Sequence, residues 1–220
     1  ANIITQIILL TNKRVEVYMD FSVLKKNLEA HGFQVSTFQT AKEASEYLNS
    51  QIDSKSIGFG GSVTLDQMNV LKLLETHNKV LYRFDNPDGK TPVEVMKESL
   101  TADVFLTSAN GVAETGEIIN IDGNCNRVAG ELYGHQKVYI IIGKNKIAPD
   151  FESALWRARN IAAPKNAVRL HKNTPCAANG GNKCYDCSSP ERICKALTVL
   201  WRKPTNCPYE VVIVNEELGY

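Results

Sequence analysis

Short apolar runs alternate with helical segments through much of the chain, and this alternation constrains the fold more than any other feature. The runs predicted as strands are Phe33–Phe38, Ser56–Gly60, Lys79–Phe84 and Asp103–Ser108. Helices are predicted between them at Ala41–Leu48, Leu65–Leu74 and Thr91–Leu100. Strands and helices in alternation predict an α/β fold with a mostly parallel sheet flanked by helices.

The two ends of the chain add further predicted elements. The first thirty residues are predicted as one helix, because apolar residues from Ile4 to Leu28 recur at three- and four-residue spacing. Lys137–Gly143 is a continuous apolar run, which predicts a strand buried on both faces. The helix predicted after it, Phe151–Ala162, is expected to carry Trp156 toward the core. The last predicted strands are Leu197–Arg202 and Tyr209–Asn215.

Length and charge exclude several classes of protein. The chain has 220 residues, a net charge of +1 and 43% hydrophobic residues. We expect a single α/β domain over residues 1–220, with a cysteine-rich elaboration at residues 171–207. Near-neutral charge gives no electrostatic argument for nucleic acid binding. No apolar run approaches the roughly 20 residues that span a bilayer, and no leader is recognised, so the expected location is the cytoplasm.

Four cysteines are concentrated in a turn-forming segment between Pro175 and Cys194. They are Cys176, Cys184, Cys187 and Cys194, with the spacing C-x7-C-x2-C-x6-C. Thiolates are soft ligands, so the set could hold an iron–sulfur cluster of the 4Fe-4S type or one tetrahedral zinc ion. A pair of disulfides is the third alternative, which a reducing compartment disfavours. A single CxxC with two flanking cysteines favours the cluster, because zinc ribbons usually pair two CxxC knuckles.

The remaining cysteines and a nearby histidine are not expected to be ligands. Cys125 and Cys207 lie outside the cysteine-rich segment and are expected to be free or buried small hydrophobic residues. His171 precedes the segment and could be a spare ligand, but a surface position is the simpler expectation.

Polar residues follow two of the predicted strands and suggest an anion-binding site. Gly60, Gly61, Ser62 and Thr64 come after the strand at Ser56–Gly60 and precede a helix. A strand, a glycine turn and a helix start can present free backbone N–H groups to an anion. The alternative to an anion site is a tight turn in which the glycines are needed for backbone geometry alone.

The second polar run follows the strand at Asp103–Ser108. Thr115-Gly116 is predicted to form a hairpin, with Glu117–Ile121 as the returning strand. At the end of this strand and just after it, Asn120, Asp122, Asn126 and Arg127 supply amides, a carboxylate and a guanidinium. Open α/β sheets place their ligands at the carboxyl ends of strands, so this run is a candidate binding site. A solvated loop with Asx turns is the alternative.

Taken together, these stretches resemble the LUD-domain family, the lactate-utilisation proteins. The matching stretches are GFGGSVTL (Gly58–Leu65), DVFLTSANGV (Asp103–Val112), GEIINIDGNCNRVAG (Gly116–Gly130), NKIAPDFESALWRARNIAAP (Asn145–Pro164), TPC (Thr174–Cys176) and KCYDCSSPERIC (Lys183–Cys194). The resemblance implies a ribose-5-phosphate isomerase/CoA-transferase-like fold. The chain departs from the family pattern at Cys125, where glycine is expected, and in the stretch between Cys176 and Cys184, which is longer than the family motif.

The resemblance also implies a function in lactate or hydroxy-acid utilisation, with an iron–sulfur cluster on the four cysteines. Under that hypothesis the chain is an oxidoreductase component that acts on L-lactate or a related small acid. Gly60, Gly61, Ser62, Thr64, Asn120 and Asn126 would bind an anionic metabolite, and Arg127 would pair with its carboxylate. Glu117 or Asp122 would accept a proton, a role assigned by analogy.

The alternative hypothesis is a non-redox metabolite-binding or regulatory subunit, in which zinc staples the cysteine-rich loop. Expected partners are a small anionic metabolite, an electron-transfer protein or other lactate-utilisation subunits, and a second copy of the chain. Neither nucleic acid binding nor membrane insertion is expected.

Overall fold

The structure is a computed structural model that describes residues 6–11, 14–82 and 89–220, with the backbone alone up to residue 18. Its strands are β1 (Gln6–Thr11), β2 (Arg14–Met19), β3 (Gln34–Phe38), β4 (Ser56–Phe59), β5 (Lys79–Leu81), β6 (Val104–Thr107), β7 (Gly111–Ala113), β8 (Ile118–Asp122), β9 (Lys137–Gly143), β10 (Ile147–Ala148), β11 (Ala196–Leu200) and β12 (Tyr209–Val214). Its α-helices are α1 (Ser22–Ala30), α2 (Ala41–Gln51), α3 (Val63–Gln67), α4 (Val70–Leu74), α5 (Pro92–Ser99), α6 (Asn126–Leu132), α7 (Phe151–Arg157), α8 (Ala163–Arg169) and α9 (Pro175–Ala178).

A parallel sheet with the strand order β3-β12-β9-β6-β4-β5 forms the centre of the fold. Its middle strands β9 and β12 are almost entirely buried, which agrees with their continuous apolar sequences. Helices pack over the sheet and create two large apolar clusters, one around Phe105 and Tyr209 and one around Ile57 and Leu106. The predicted α/β class, with a mostly parallel sheet flanked by helices, is confirmed.

A smaller mixed sheet with the order β10-β7-β8-β11 lies beside the first. Strands β7 and β8 form the predicted hairpin, whose turn places Gly116 at a φ of +108°. Strand β11 pairs antiparallel with β8, so the chain that leaves the cysteine segment at Cys194 enters this sheet directly. The smaller sheet therefore joins the second polar run to the cysteine segment.

The prediction of one helix over the first thirty residues is wrong. Strands β1 and β2 pair antiparallel, and the helix starts only at Ser22. Six-residue apolar runs fit a helical face and an alternating strand almost equally well, and pairing with a neighbour decides between them. Ile4, which was part of the predicted pattern, lies outside the described residues.

Three other predicted elements differ in detail. Trp156 is 58% exposed, because the small residues that pack inward are Ala154 of α7 and Ala158 just after it, and the indole lies on the solvent side. The helix predicted at Leu65–Leu74 is broken at Asn69, which adopts a left-handed φ of 52°. The helix that begins at Phe151 continues to Arg169 through a π-helical stretch at Ala158–Ala162. Of the strand predicted at Lys79–Phe84, the structure shows Lys79–Leu81 as β5, and Arg83 and Phe84 lie outside the described residues.

The described residues include no helix that combines the length and apolar character needed to cross a bilayer.

Candidate anion cavity and cysteine pocket

A cavity of about 310 Å³ opens at the carboxyl edge of the large sheet, where the chain leaves β4, β6 and β9. Parallel strands bring their carboxyl ends to one edge, so residues distant in sequence meet there. Its wall includes Ser62, Thr64, Ser108, Arg127, Lys146 and Arg169. We call this space the cationic cavity, because Lys172 also lines it and, among the residues that the structure describes, Asp122 is the one acidic side chain in its wall.

The glycine turn after β4 is built to fit Arg127. A Cβ on Gly60 would lie 2.5 Å from Arg127 Cγ, so only glycine lets the arginine stem pass. Gly61, Ser62 and Thr64 line the cavity, whereas Gly60 supports it from behind. Ser62 caps α3 by accepting from Leu65 N at 3.4 Å. Because α3 has only five residues, its dipole is too short to carry an anion site.

Arg127 is held by the protein itself. Its Nη1 donates to Ser108 O at 3.0 Å and to the side chain of Asn120, and its Nη2 donates to Ile121 O at 2.8 Å and to Asn110 Oδ1 at 3.2 Å. Nε lies 3.7 Å from Asp122 Oδ2. With all four terminal N–H groups used, no pair remains for the bidentate carboxylate contact that the sequence suggested. Arg127 contributes charge and architecture to the cavity.

Asp122 also has a structural arrangement. Its Oδ1 accepts from the backbone N–H groups of Gly123, Asn124 and Cys125 at 2.6, 3.1 and 3.1 Å. These contacts form an Asx-type turn that shapes the loop into α6. Cys125 adopts a φ of 63° in this turn, which explains why glycine suits the position. Cys125 is exposed, and Cys207 is buried.

Two other predicted site residues do not line the cavity. Glu117 lies at the β7–β8 hairpin, where the hydroxyl of Thr115 donates to it. Asn120 is fully buried behind Arg127 and donates to both carboxyl oxygens of Glu131 at 2.8 and 2.9 Å. Burial raises the pKa of Glu131 to about 7, while the nearby Arg127 charge opposes that rise. Asn126 does line the cavity, as the sequence suggested.

Lys146 is the cavity residue that sequence reasoning missed. It is 4% exposed, and its Nζ donates to Thr64 Oγ1 at 2.7 Å and to Ser108 Oγ at 2.8 Å. Burial, followed by the charges of Arg157 and Arg127, lowers the pKa of Lys146 well below that of a free lysine. The signal was its place just after the buried strand β9, the same rule that identified the other two strand ends.

Arg157 binds backbone carbonyls at this edge of the sheet. Its Nε donates to Asn145 O at 2.7 Å, and its Nη1 donates to the carbonyls of Asn110 and Tyr220. Burial lowers its pKa to about 10, so it stays charged near neutral pH. Arg169 and Lys172 line the outer part of the cavity, and Arg169 binds Asn166 Oδ1 at 2.7 Å. The balance of these charges favours an anionic ligand.

The four motif cysteines surround one smaller space, the cysteine pocket. Cys176, Cys184, Cys187 and Cys194 all line it, together with the apolar residues Ala163, Pro164, Ala167 and Ile193. All six cysteines of the chain are free thiols, so the disulfide alternative has no counterpart in the structure. Asp186 N donates to Cys184 Sγ at 3.3 Å, and the Thr174 hydroxyl lies 3.2 Å from Cys176 Sγ.

Arg192 fastens the cysteine segment. It donates to Cys187 O at 2.7 Å and to Cys194 O at 2.9 Å, which ties the CxxC to the last cysteine. Thiolates are the donors that zinc and iron–sulfur clusters take, and four half-buried cysteines line this apolar pocket together with Arg192. Over the described ranges, no three His, Cys, Asp or Glu side chains are grouped for a metal ion. His171 is exposed and lies outside the pocket lining.

The cysteine pocket and the cationic cavity are neighbours. Ala163 and Ile193 line both of them. Lys195 N donates to Asp122 O at 2.9 Å, and a Cβ on Gly123 would lie 2.7 Å from Ile193 O. The loop that shapes one site therefore packs directly on the segment that carries the other.

Comparisons with known proteins agree with the sequence motifs. No functionally curated protein matches the chain. A solved structure described as a DUF162 family protein from Deinococcus radiodurans is similar over 87% of this chain and 94% of that one, with 15% identity and a TM-score of 0.47. The model of the LUD domain matches residues 21–214, which is most of the chain. The chain therefore belongs to the LUD-domain family.

Proposed function

We propose that the chain is a redox component of hydroxy-acid metabolism that holds an iron–sulfur cluster on Cys176, Cys184, Cys187 and Cys194. The cationic cavity would bind a small carboxylate, such as L-lactate or its 2-oxo product. The observation that carries this proposal is the wall that the two sites share at Ala163 and Ile193. A redox group and a substrate separated by one layer of side chains are suitably placed for electron transfer.

Some residues of the chain would bind the ligand, and others would hold the loops of the cavity in position. Arg169 and Lys172 would attract the ligand carboxylate, because they line the outer cavity and are not buried. Ser62 and Asn126 would offer hydroxyl and amide contacts to the ligand. Arg127 and Asp122 would keep the loops in position through the contacts already described. A bound cluster would supply one-electron transfer.

Metal analysis after anaerobic purification tests the cluster. We expect about four irons and four sulfides per chain, with a visible absorption that bleaches on addition of dithionite. Cys187→Ser should lose the iron, and Cys125→Ser is the matched control, because Cys125 is exposed and outside the pocket. A colourless protein that carries zinc in place of iron would contradict the proposal.

The second candidate is a non-redox subunit with a structural zinc site. It is favoured by the way Arg192 and the β11–β8 pairing fasten the cysteine segment to the core, since a metal there would complete a staple. In that case one zinc per chain is expected, and lactate would cause no change in any optical signal.

A further inference from the structure

Lys146 is an unusual group for a buried wall. Its amine contacts two hydroxyls, and both hydroxyls pass their own protons to backbone carbonyls. Ser108 Oγ donates to Ile141 O, which at 2.6 Å is much closer than the alternative acceptor Thr64 Oγ1 at 3.3 Å, and Thr64 Oγ1 donates to Leu218 O at 3.3 Å. Each hydroxyl oxygen is therefore an acceptor for one N–H of the amine. Two N–H groups and two acceptors match a neutral amine, which keeps a free lone pair.

The electrostatic surroundings also favour the neutral amine. Within the described parts of the chain, no carboxylate forms an ion pair with Lys146. The charged groups that act on it are Arg157 and Arg127, and both are cations. An amine that is desolvated and placed beside cations is the form of lysine that attacks carbonyl carbon.

Space is reserved around this amine. Gly219 adopts a φ of +65°, and a Cβ there would lie 2.5 Å from Thr64 Oγ1 and 3.2 Å from Lys146 Nζ. Gly219 and Lys146 both line the cationic cavity, so the amine borders the space where a small anion would bind. The cationic residues Arg169 and Lys172 line the same cavity and suit a ligand that carries a carboxylate.

We propose that Lys146 Nζ captures the carbonyl carbon of a small 2-oxo acid in the cationic cavity as an imine. The nitrogen lone pair forms the C–N bond, and one amine proton moves to the carbonyl oxygen. The resulting hydroxyl then leaves with the second amine proton as water, while the C=N bond forms. The hydroxyls of Ser108 and Thr64, which already contact the nitrogen, relay these protons. This proposal rests on the anion-binding part of the proposed function and does not involve the cluster.

Borohydride trapping tests the imine directly. The full-length protein is incubated with pyruvate at neutral pH, reduced with sodium borohydride, digested and analysed by peptide mass spectrometry. We expect the reduced pyruvyl adduct on Lys146 in most molecules and none when L-lactate replaces pyruvate. An adduct on Lys146 no more abundant than that on the exposed Lys42 would overturn the proposal.

Three variants test the assignment of the adduct to Lys146 and the proton relay. Lys146→Met should abolish the adduct, whereas Lys144→Met should keep it, because Lys144 is a near neighbour that does not line the cavity. Ser108→Ala keeps the amine and removes one relay, so trapping should slow several-fold. Trapping at an unchanged rate would overturn the relay. The Ser108 measurement stands even where Lys146→Met fails to fold.

Calorimetric titration of the same protein with pyruvate separates this proposal from the proposed function. Saturable binding without an adduct overturns the imine and leaves the anion cavity intact. An absence of binding overturns both the imine and the assignment of a small carboxylate to this cavity.

Discussion

The cationic cavity and the cysteine pocket share a wall, but they are built in opposite ways. Around the cavity, Arg127 and Asp122 have their polar atoms satisfied by neighbouring chain groups. Around the pocket, four half-buried thiols face one apolar space, and backbone contacts from Arg192 fix the segment that carries them. The first site is preorganised by the protein, whereas the second suits a group that would complete it.

This difference separates stability from ligand binding. Substitution of a cavity-wall residue that is bound to several chain groups, such as Arg127, should destabilise the protein, because it leaves polar groups without partners. Substitutions in the cysteine pocket should change metal content and leave the core unaffected. The following predictions test that separation, from the largest expected effect to the smallest.

Arg127→Met should lower the free energy of unfolding by about 3–5 kcal/mol, because it strands Asp122 and several buried acceptors. Urea denaturation measures the change. Arg169→Met is the matched control, since Arg169 is only partly buried and donates to the side chain of its helical neighbour Asn166, and it should cost less than about 1 kcal/mol. Equal effects of the two variants would contradict the view of Arg127 as the organiser of the cavity.

Glu131 should make stability depend on pH. Its folded pKa of about 7 lies above the unfolded value of 4.5, so the folded state holds its proton more tightly. The stabilisation is full below pH 4.5, falls as pH rises, and is lost above about pH 7. Glu131→Gln should remove a loss on the order of 2 kcal/mol between pH 5 and pH 8. Unfolding curves of both proteins at the two pH values check this, and parallel pH profiles would refute it.

Cys187→Ser should empty the cysteine pocket and barely affect the core. We expect loss of bound iron but a change below about 0.5 kcal/mol in the unfolding free energy of the metal-free protein. Iron analysis and urea denaturation of the metal-free form give the two numbers. A large loss of stability in the metal-free variant would show that the thiol itself supports the fold.

Glu117→Gln should have the smallest effect. Glu117 lies at the hairpin turn and does not line the cavity, so the dissociation constant for pyruvate should stay within about twofold. Calorimetric titration measures it, with Lys172→Met as the comparison variant from inside the cavity. A much weaker affinity of the Glu117 variant would restore the role that the sequence suggested for this residue.

The fold class followed from sequence because propensity and burial agree there. Strands β9 and β12 are apolar at nearly every position and are buried on both faces, and the helix predicted at Thr91–Leu100 is present, with a capping box at Thr91. The prediction of one helix over the first thirty residues failed, because the apolar spacing there fits a helix or a strand and only the pairing of β1 with β2 decides between them. The prediction that Trp156 points toward the core failed, because an aromatic residue can face solvent when alanines fill the packed side of its helix.

The candidate site was harder to read than the fold. A cavity lies at the strand ends that the sequence singled out, but the roles of individual residues depend on partners that a sequence does not display. Arg127 was predicted to pair with the carboxylate of a ligand. In the structure its four terminal N–H groups already donate to acceptors of the protein. Lys146 had no predicted role, because a sequence does not show that the fold buries this lysine between Thr64 and Ser108.

The most direct test of the account is whether the two neighbouring sites sense each other. The visible and electron paramagnetic resonance spectra of the dithionite-reduced, anaerobic protein should be recorded before and after pyruvate is added. We predict an iron–sulfur signal that changes on ligand addition in the wild type and does not change in an Arg169→Met/Lys172→Met variant. A protein that binds pyruvate but carries no iron–sulfur signal, or whose signal ignores the ligand, would contradict the account.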